Sequence, residues 1–220
     1  MGIVNLQEAF MSDTVISGKL AVIGTIKEGI AIGAKNIGPI LVNVLLWALT
    51  VWIPYLNVGT TIGLMIGIVT KASRGEVIPM TEIFDPKYRK YIGEYFLTSG
   101  LVGMGIGVGM VFGIIPGVVI SLAWCLASLL VIDKGKNPTE AITLSNNLTY
   151  GFKWKICGVY ALTIGAFFIA SMILMAIGNA TRSVGFIGFM SFLVFLLSLF
   201  AIFVSIGLQA SIYKQLTEGV

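Results

Sequence analysis

Histidine, the side chain most often used to shuttle protons or hold a metal, does not occur in this 220-residue chain. A Ser/His nucleophile pair, an imidazole metal site and an imidazole proton relay are therefore excluded within it. Its two cysteines, Cys125 and Cys157, are well separated and cannot build a four-thiolate zinc centre. Both read as small buried hydrophobes. No acidic residue falls inside the long apolar stretches, where Glu94 and Asp133 stand only at the edges. Intramembrane carboxylates usually mark ion-coupled transport paths, so a carboxylate-driven pump is not expected. The expectation is a non-enzymatic chain with no cofactor and no metal. Two N-glycosylation patterns, Asn147-Leu-Thr and Asn179-Ala-Thr, read as chance matches.

Two other groupings of residues carry information. Phe84, Tyr88, Tyr91 and Tyr95 recur at helical spacing with Lys87, Arg89 and Lys90 between them. Such a pattern suits nucleic acid, but at the mouth of an apolar helix it is an interfacial anchor, and no nucleic-acid partner is expected. Lys19, Lys27, Lys134, Lys136, Lys153 and Lys155 extend the basic surface that would meet anionic headgroups. Glycine supplies the second grouping. Gly59, Gly63 and Gly67 stand four residues apart; Gly100, Gly103 and Gly107 form another row, and Gly105, Gly109 and Gly113 a third. Such rows let helix backbones approach closely. The last two rows point roughly opposite ways on one helix, which would place that helix at the centre of a bundle or between the bundle and a symmetry mate. Packing within the chain, a subunit interface and a pore lining all remain open for these glycines. Asn43 cannot be satisfied by its own helix alone, and is expected to bond across helices or to stand on a solute path.

The elements that hold these residues follow from charge and hydropathy. Of the residues, 57% are hydrophobic and 11% charged, against about 25% charged in a soluble domain. No charge lies between Lys35 and Lys71, Glu94 and Asp133, Lys155 and Arg182, or Arg182 and Lys214. The first two stretches have room for two short passes each and the others for one. The fold class is therefore all-α: a polytopic membrane bundle of six transmembrane helices plus amphipathic helices on the inner surface. The whole of 1–220 reads as one membrane domain, with an amphipathic lead-in at 1–36, the six-span bundle at 37–212 and a tail at 213–220. Within it the spans are expected at 37–53, 58–70, 95–114, 118–132, 156–177 and 184–208. Pro54 to Asn57 make the first turn, and Ile115-Pro116-Gly117 break the chain between the third and fourth spans. Asp85-Pro86 and Asn137-Pro138-Thr139-Glu140 read as helix starts on the inner surface. The charged first 35 residues lack the apolar run of a cleavable signal peptide.

Counting basic residues by loop fixes the expected orientation. Six passes leave thirteen of the fourteen Lys and Arg on one side, with Arg182 the exception. The positive-inside rule makes that side the cytoplasm and places both termini there.

Several stretches resemble a bacterial and archaeal family of six-span proteins. The family includes the membrane domain attached to some glycerophosphoryl diester phosphodiesterases and the YciC-like membrane proteins. The lead-in Ile26-Lys27-Glu28-Gly29 to Lys35-Asn36 is similar to its first amphipathic helix. Gly113-Ile-Ile-Pro-Gly117, then Asp133-Lys-Gly-Lys-Asn-Pro-Thr-Glu-Ala141 and Ser145, is similar to its central signature, and Ala210-Ser-Ile-Tyr-Lys-Gln-Leu216 to its end. The resemblance implies architecture and the plasma (inner) membrane of a prokaryote, and it implies no activity.

Two function classes remain. The glycine rows favour a homo-oligomeric passive pore or small-solute transporter, with its lumen on a symmetry axis. The alternative is a membrane scaffold, accessory or lipid-organising module without transport, suggested by the amount of inner-surface amphipathic structure. The expected partners are the anionic bilayer and a second copy of the chain; the sequence names no other protein.

Overall fold

The computed structural model describes residues 20–181 and 183–218. They are all-helical, with no strand among them. The helices are α1 (Val22–Lys35), α2 (Ile37–Thr50), α3 (Pro54–Ile62), α4 (Ile68–Ser73), α5 (Lys87–Lys90), α6 (Ile92–Phe112), α7 (Ile114–Ala123), α8 (Ala127–Lys134), α9 (Pro138–Thr149), α10 (Lys153–Ala180) and α11 (Val184–Thr217). A π turn, Gly63–Gly67, joins α3 to α4. Five runs are long and apolar enough to cross a membrane: Pro54–Ser73, α6, Ile114–Lys134, α10 and α11. The pair α1 and α2, bent by 71°, would make a sixth. The chain is thus a helical protein of the multi-pass membrane type. Lys19 and Arg182, both counted in the sequence reading, lie outside the described residues.

Two long hairpins dominate. In the first, α6 returns through α7 and α8. The turn falls at Gly113, whose φ of 144° only glycine adopts readily. The sequence placed the break two residues later, at Ile115-Pro116-Gly117. Pro116 instead sits in the first turn of α7, where a missing N–H costs nothing. Gly109 lies against the backbone of Gly117, and Gly105 under the ring of Trp124. The returning arm of this hairpin breaks between α7 and α8. Ser145 of α9 mends the break: its hydroxyl donates to the Ala123 carbonyl at 2.8 Å and accepts from the Leu126 N–H at 3.2 Å. α9 is therefore packed inward through Ala141, Ser145 and Leu148, rather than resting loosely on a surface.

The second hairpin, α10 with α11, is longer than a bilayer core requires, since 34 residues of α11 rise about 51 Å. α11 continues unbroken to Thr217, and Tyr213, where the sequence began a tail, is buried. α1 lies antiparallel along this far end of α11. Gly29 meets Leu208, Gly33 meets the Phe203 carbonyl, and Gly207 touches the Gly29 backbone. Thr25 and Glu28 bond Gln215 and Ser211 at 3.2 and 2.8 Å. The sequence expected this lead-in helix on the membrane surface. Its three-glycine seam with α11 draws it into the protein instead, because close backbone contact gains dispersion that a surface helix forgoes.

The packed core occupies one end of the molecule. Ile62, Ile68, Ile83, Tyr88, Leu130 and Leu208 are buried there. Along the hairpins away from that end, Phe112, Ile114, Ile164, Phe168, Phe192 and Phe195 are exposed.

Candidate functional site

The packed end is also where the polar chemistry collects. The chain leaving α4 at Arg74 does not stay in a surface loop. It folds back along α3 and α4 through a 3-10 turn, Glu82–Phe84, and the short basic helix α5. The glycine row Gly59, Gly63 and Gly67 is the groove that receives it. The Arg89 stem lies over Gly59, the Ile83 backbone against Gly63, and the Tyr88 ring over Gly67. Three glycines at four-residue spacing drift around an α-helix, and the wider π turn takes back part of that drift. The row therefore packs its own return segment and not a neighbouring span.

Asn43 pins the same segment from the other side. It is fully buried in α2, donates to the Pro79 carbonyl at 2.9 Å and to Pro39 at 2.8 Å, and accepts from the Ile83 N–H at 3.2 Å. It bridges to the return segment, where the sequence expected another helix or a solute path.

At the floor of the groove Glu82 is 2% exposed. Its carboxylate accepts from the Lys71 ammonium at 2.6 Å, from Lys87 at 3.4 Å, and from the Tyr88 hydroxyl. Burial, then the hydrogen bond to Glu82, pushes the Tyr88 phenol well above its ordinary range. Asp85 is held below the usual carboxylate range: burial would raise it, but the Lys87 N–H and ammonium outweigh that. The buried Glu82 was missed in the sequence because it lies in what reads as a polar connection. The signal available was Ile78, Ile83 and Phe84, apolar residues with no reason to sit in a solvated loop.

A second network ties the ends of four helices together. Arg74 pairs with Glu76 and with Asp133 of α8, and Asp133 accepts from the Tyr213 hydroxyl of α11 at 2.7 Å. The hydrogen bond to Glu76, with Asp133 beside it, raises the Arg74 guanidinium further above its already high range, and Arg74 holds the Glu76 carboxyl low. Lys214 pairs with Glu28 of α1 at 2.8 Å. A polar cavity of about 430 Å³ opens here, lined by Arg74, Asp133, Lys134, Tyr213 and Lys214 among others.

The basic residues singled out in the sequence gather around this end. Lys87, Arg89 and Lys90 are exposed on α5, with the Lys87 and Lys90 ammonium groups 4.8 and 5.8 Å from the rings of Tyr88 and Tyr91. Lys134 and Lys136 are exposed where α8 ends. Lys153 bonds Asn146 at 3.0 Å, and Lys155 stands 5.2 Å over the Phe152 ring. They share a region but converge on no single point.

The two glycine rows of α6 have different fates. Gly105 and Gly109 pack the hairpin, and Gly113 makes its turn. Gly100, Gly103 and Gly107 meet no atom within 4 Å. α6 is thus covered on one side only within the chain, and not wedged between two of its own helices. Polar side chains along the second hairpin bond their own backbone: Thr163 to Val159, Ser171 to Phe167 and Ser191 to Ile187.

What these features define is a class only, a helical membrane protein with a polar, packed end. Comparison with family models, curated proteins and solved structures finds no match to this chain.

Proposed function

We propose that the chain is a non-enzymatic multi-pass membrane module whose working part is the packed basic end, turned to the cytoplasm and set against anionic headgroups. The apolar hairpins serve as its anchors. The observation that supports this reading is the position of the core: buried side chains and ion pairs collect at one end, while the hairpins expose apolar side chains on most of their length. A pore or transporter was placed first on the sequence. It is placed second here because Thr163, Ser171, Ser191 and Ser198, along the exposed length of the second hairpin, bond their own backbones. The test is retention of anionic lipid by the protein purified in mild detergent, read by native mass spectrometry. Changing Lys87, Arg89 and Lys90 together to Gln should reduce retained phosphatidylglycerol several-fold; unchanged retention argues against this function.

The second reading is a self-assembled pore, favoured by the uncovered row Gly100, Gly103 and Gly107. A closed oligomer that carries solute flux after reconstitution would promote it over the first.

A further inference from the structure

Helix packing gives the orientation of the segment between α1 and α6. α1 runs along α11, with antiparallel contacts from Thr25–Gln215 to Gly33–Phe203, so the two lie side by side over that length. α2 leaves the axis of α1 at 71°. If α11 crosses the bilayer, α2 lies close to the bilayer plane. The run Pro54–Ser73 behaves the same way. Its last turn, α4, packs on α11, the π turn packs on α8, and α3 packs on α5 and the start of α6. A crossing helix would line its neighbours lengthwise; this one passes transversely from one to the next.

The return segment adds the charge argument. Gly59 lies about 21 Å along the helix from Ser73, past the middle of a hydrocarbon core about 30 Å thick. The Arg89 stem packs on Gly59, while Lys87 reaches Glu82, which Lys71 also holds, and Lys90 is exposed on the same short helix. Were Pro54–Ser73 a crossing helix, Arg89 would sit near the outer half of the bilayer, where charge is strongly disfavoured. Laid in the plane, the same helix keeps Arg89, together with the rest of α5, at the headgroups of the leaflet that also meets Lys134 and Lys136.

We infer that Ile37 to Tyr91 is an in-plane platform seated in the cytoplasmic leaflet, and that only α6, α7–α8, α10 and α11 cross. Its partner is the lipid itself. Leu41, Leu45, Leu49 and Trp52 fall on one face and are 36%, 55%, 75% and 85% exposed. That stripe faces acyl chains, and Lys87, Arg89 and Lys90 meet phosphates. Removing two crossings leaves every basic loop on its original side, which is why loop charge fits four passes as well as six.

Nitroxide depth measurement decides between them. Single cysteines at Leu41, Leu45 and Leu49, with Cys125 and Cys157 changed to Ala, are spin-labelled in vesicles and read by collision with oxygen and a nickel chelate. A helix along the normal would change depth by about 12 Å from Leu41 to Leu49, and one tilted by 71° by about 4 Å. Labels at Leu162 and Ile169 of α10 provide the steep reference. A spread under half of the full value supports the platform; a larger one, deepening toward the face bearing Ser183, overturns it. Either result leaves the lipid-retention test untouched, so the two readings fail separately.

Discussion

Glu82 is the residue on which the packed end turns. It is the common acceptor for Lys71, Lys87 and Tyr88, and it holds the return segment in the glycine groove. Changing Glu82 to Ala leaves a largely buried ammonium without its counter-charge, a loss on the order of 3 kcal/mol. The expected outcome is a clear drop in the thermal unfolding midpoint in detergent. Lys90→Gln, which touches none of these groups, should leave it in place. The titrating groups of the two networks set a pH dependence as well. Glu76 and Asp85 have lowered folded values, so their contribution is complete above the ordinary 4.5 and 3.8 and fades as pH falls through the lowered ones. Tyr88 has a raised value, so its contribution is complete below the ordinary 10.0 and is lost as pH rises beyond it. The unfolding midpoint should be flat between about pH 5 and pH 9 and fall on both sides; a midpoint that climbed in acid would contradict these pairings. None of this was legible beforehand, because Lys71, Glu82 and Lys87 follow no period. Their meeting depends on a chain reversal that only the fold supplies.

At the level of helices, glycine spacing was legible as close approach, but not as to what approaches. Gly59, Gly63 and Gly67 were read as helix packing or pore lining, and they receive the chain's own return segment. Gly29 and Gly33, four residues apart on α1, were read as part of an amphipathic lead-in and not as a packing row, and Gly207 stands alone in α11, yet together they make the tightest helix pair. A Cβ on Gly207 would overlap the Gly29 carbonyl, so Gly207→Val should cost about 1–3 kcal/mol and lower the folded yield. On α6 the two rows should separate cleanly. Gly105→Leu meets the Trp124 ring and should depress folded yield, whereas Gly103→Leu faces open space and should not. If Gly103→Leu instead dissolves an oligomer seen by crosslinking, the uncovered row is a contact between copies. The turn at Gly113 was missed by two residues, because Pro116 draws attention as a breaker although it fits the first turn of α7.

For the molecule as a whole, composition was sufficient for the helical membrane class, since charge-free stretches of this length have few other uses. Which helices cross was not legible. Both Pro54–Ser73 and α10 are apolar enough to cross, with mean hydropathy 1.2 and 2.2, although two thirds of the first run's apolar window is buried in protein and only 6% of the second's. Burial against the protein's own return segment and immersion in lipid demand the same residues, and sequence cannot tell one apolar environment from the other. The proposed module requires its basic end to be a single face, with α5 and the α8–α9 connection on one side of the bilayer and the tip of the second hairpin on the other. The most direct measurement is labelling of single cysteines at Arg89, Lys136 and Ser183 with an impermeant maleimide in right-side-out and inside-out vesicles. Arg89→Cys and Lys136→Cys should react in the same preparation and Ser183→Cys in the other; reaction of Arg89→Cys together with Ser183→Cys, apart from Lys136→Cys, would contradict it.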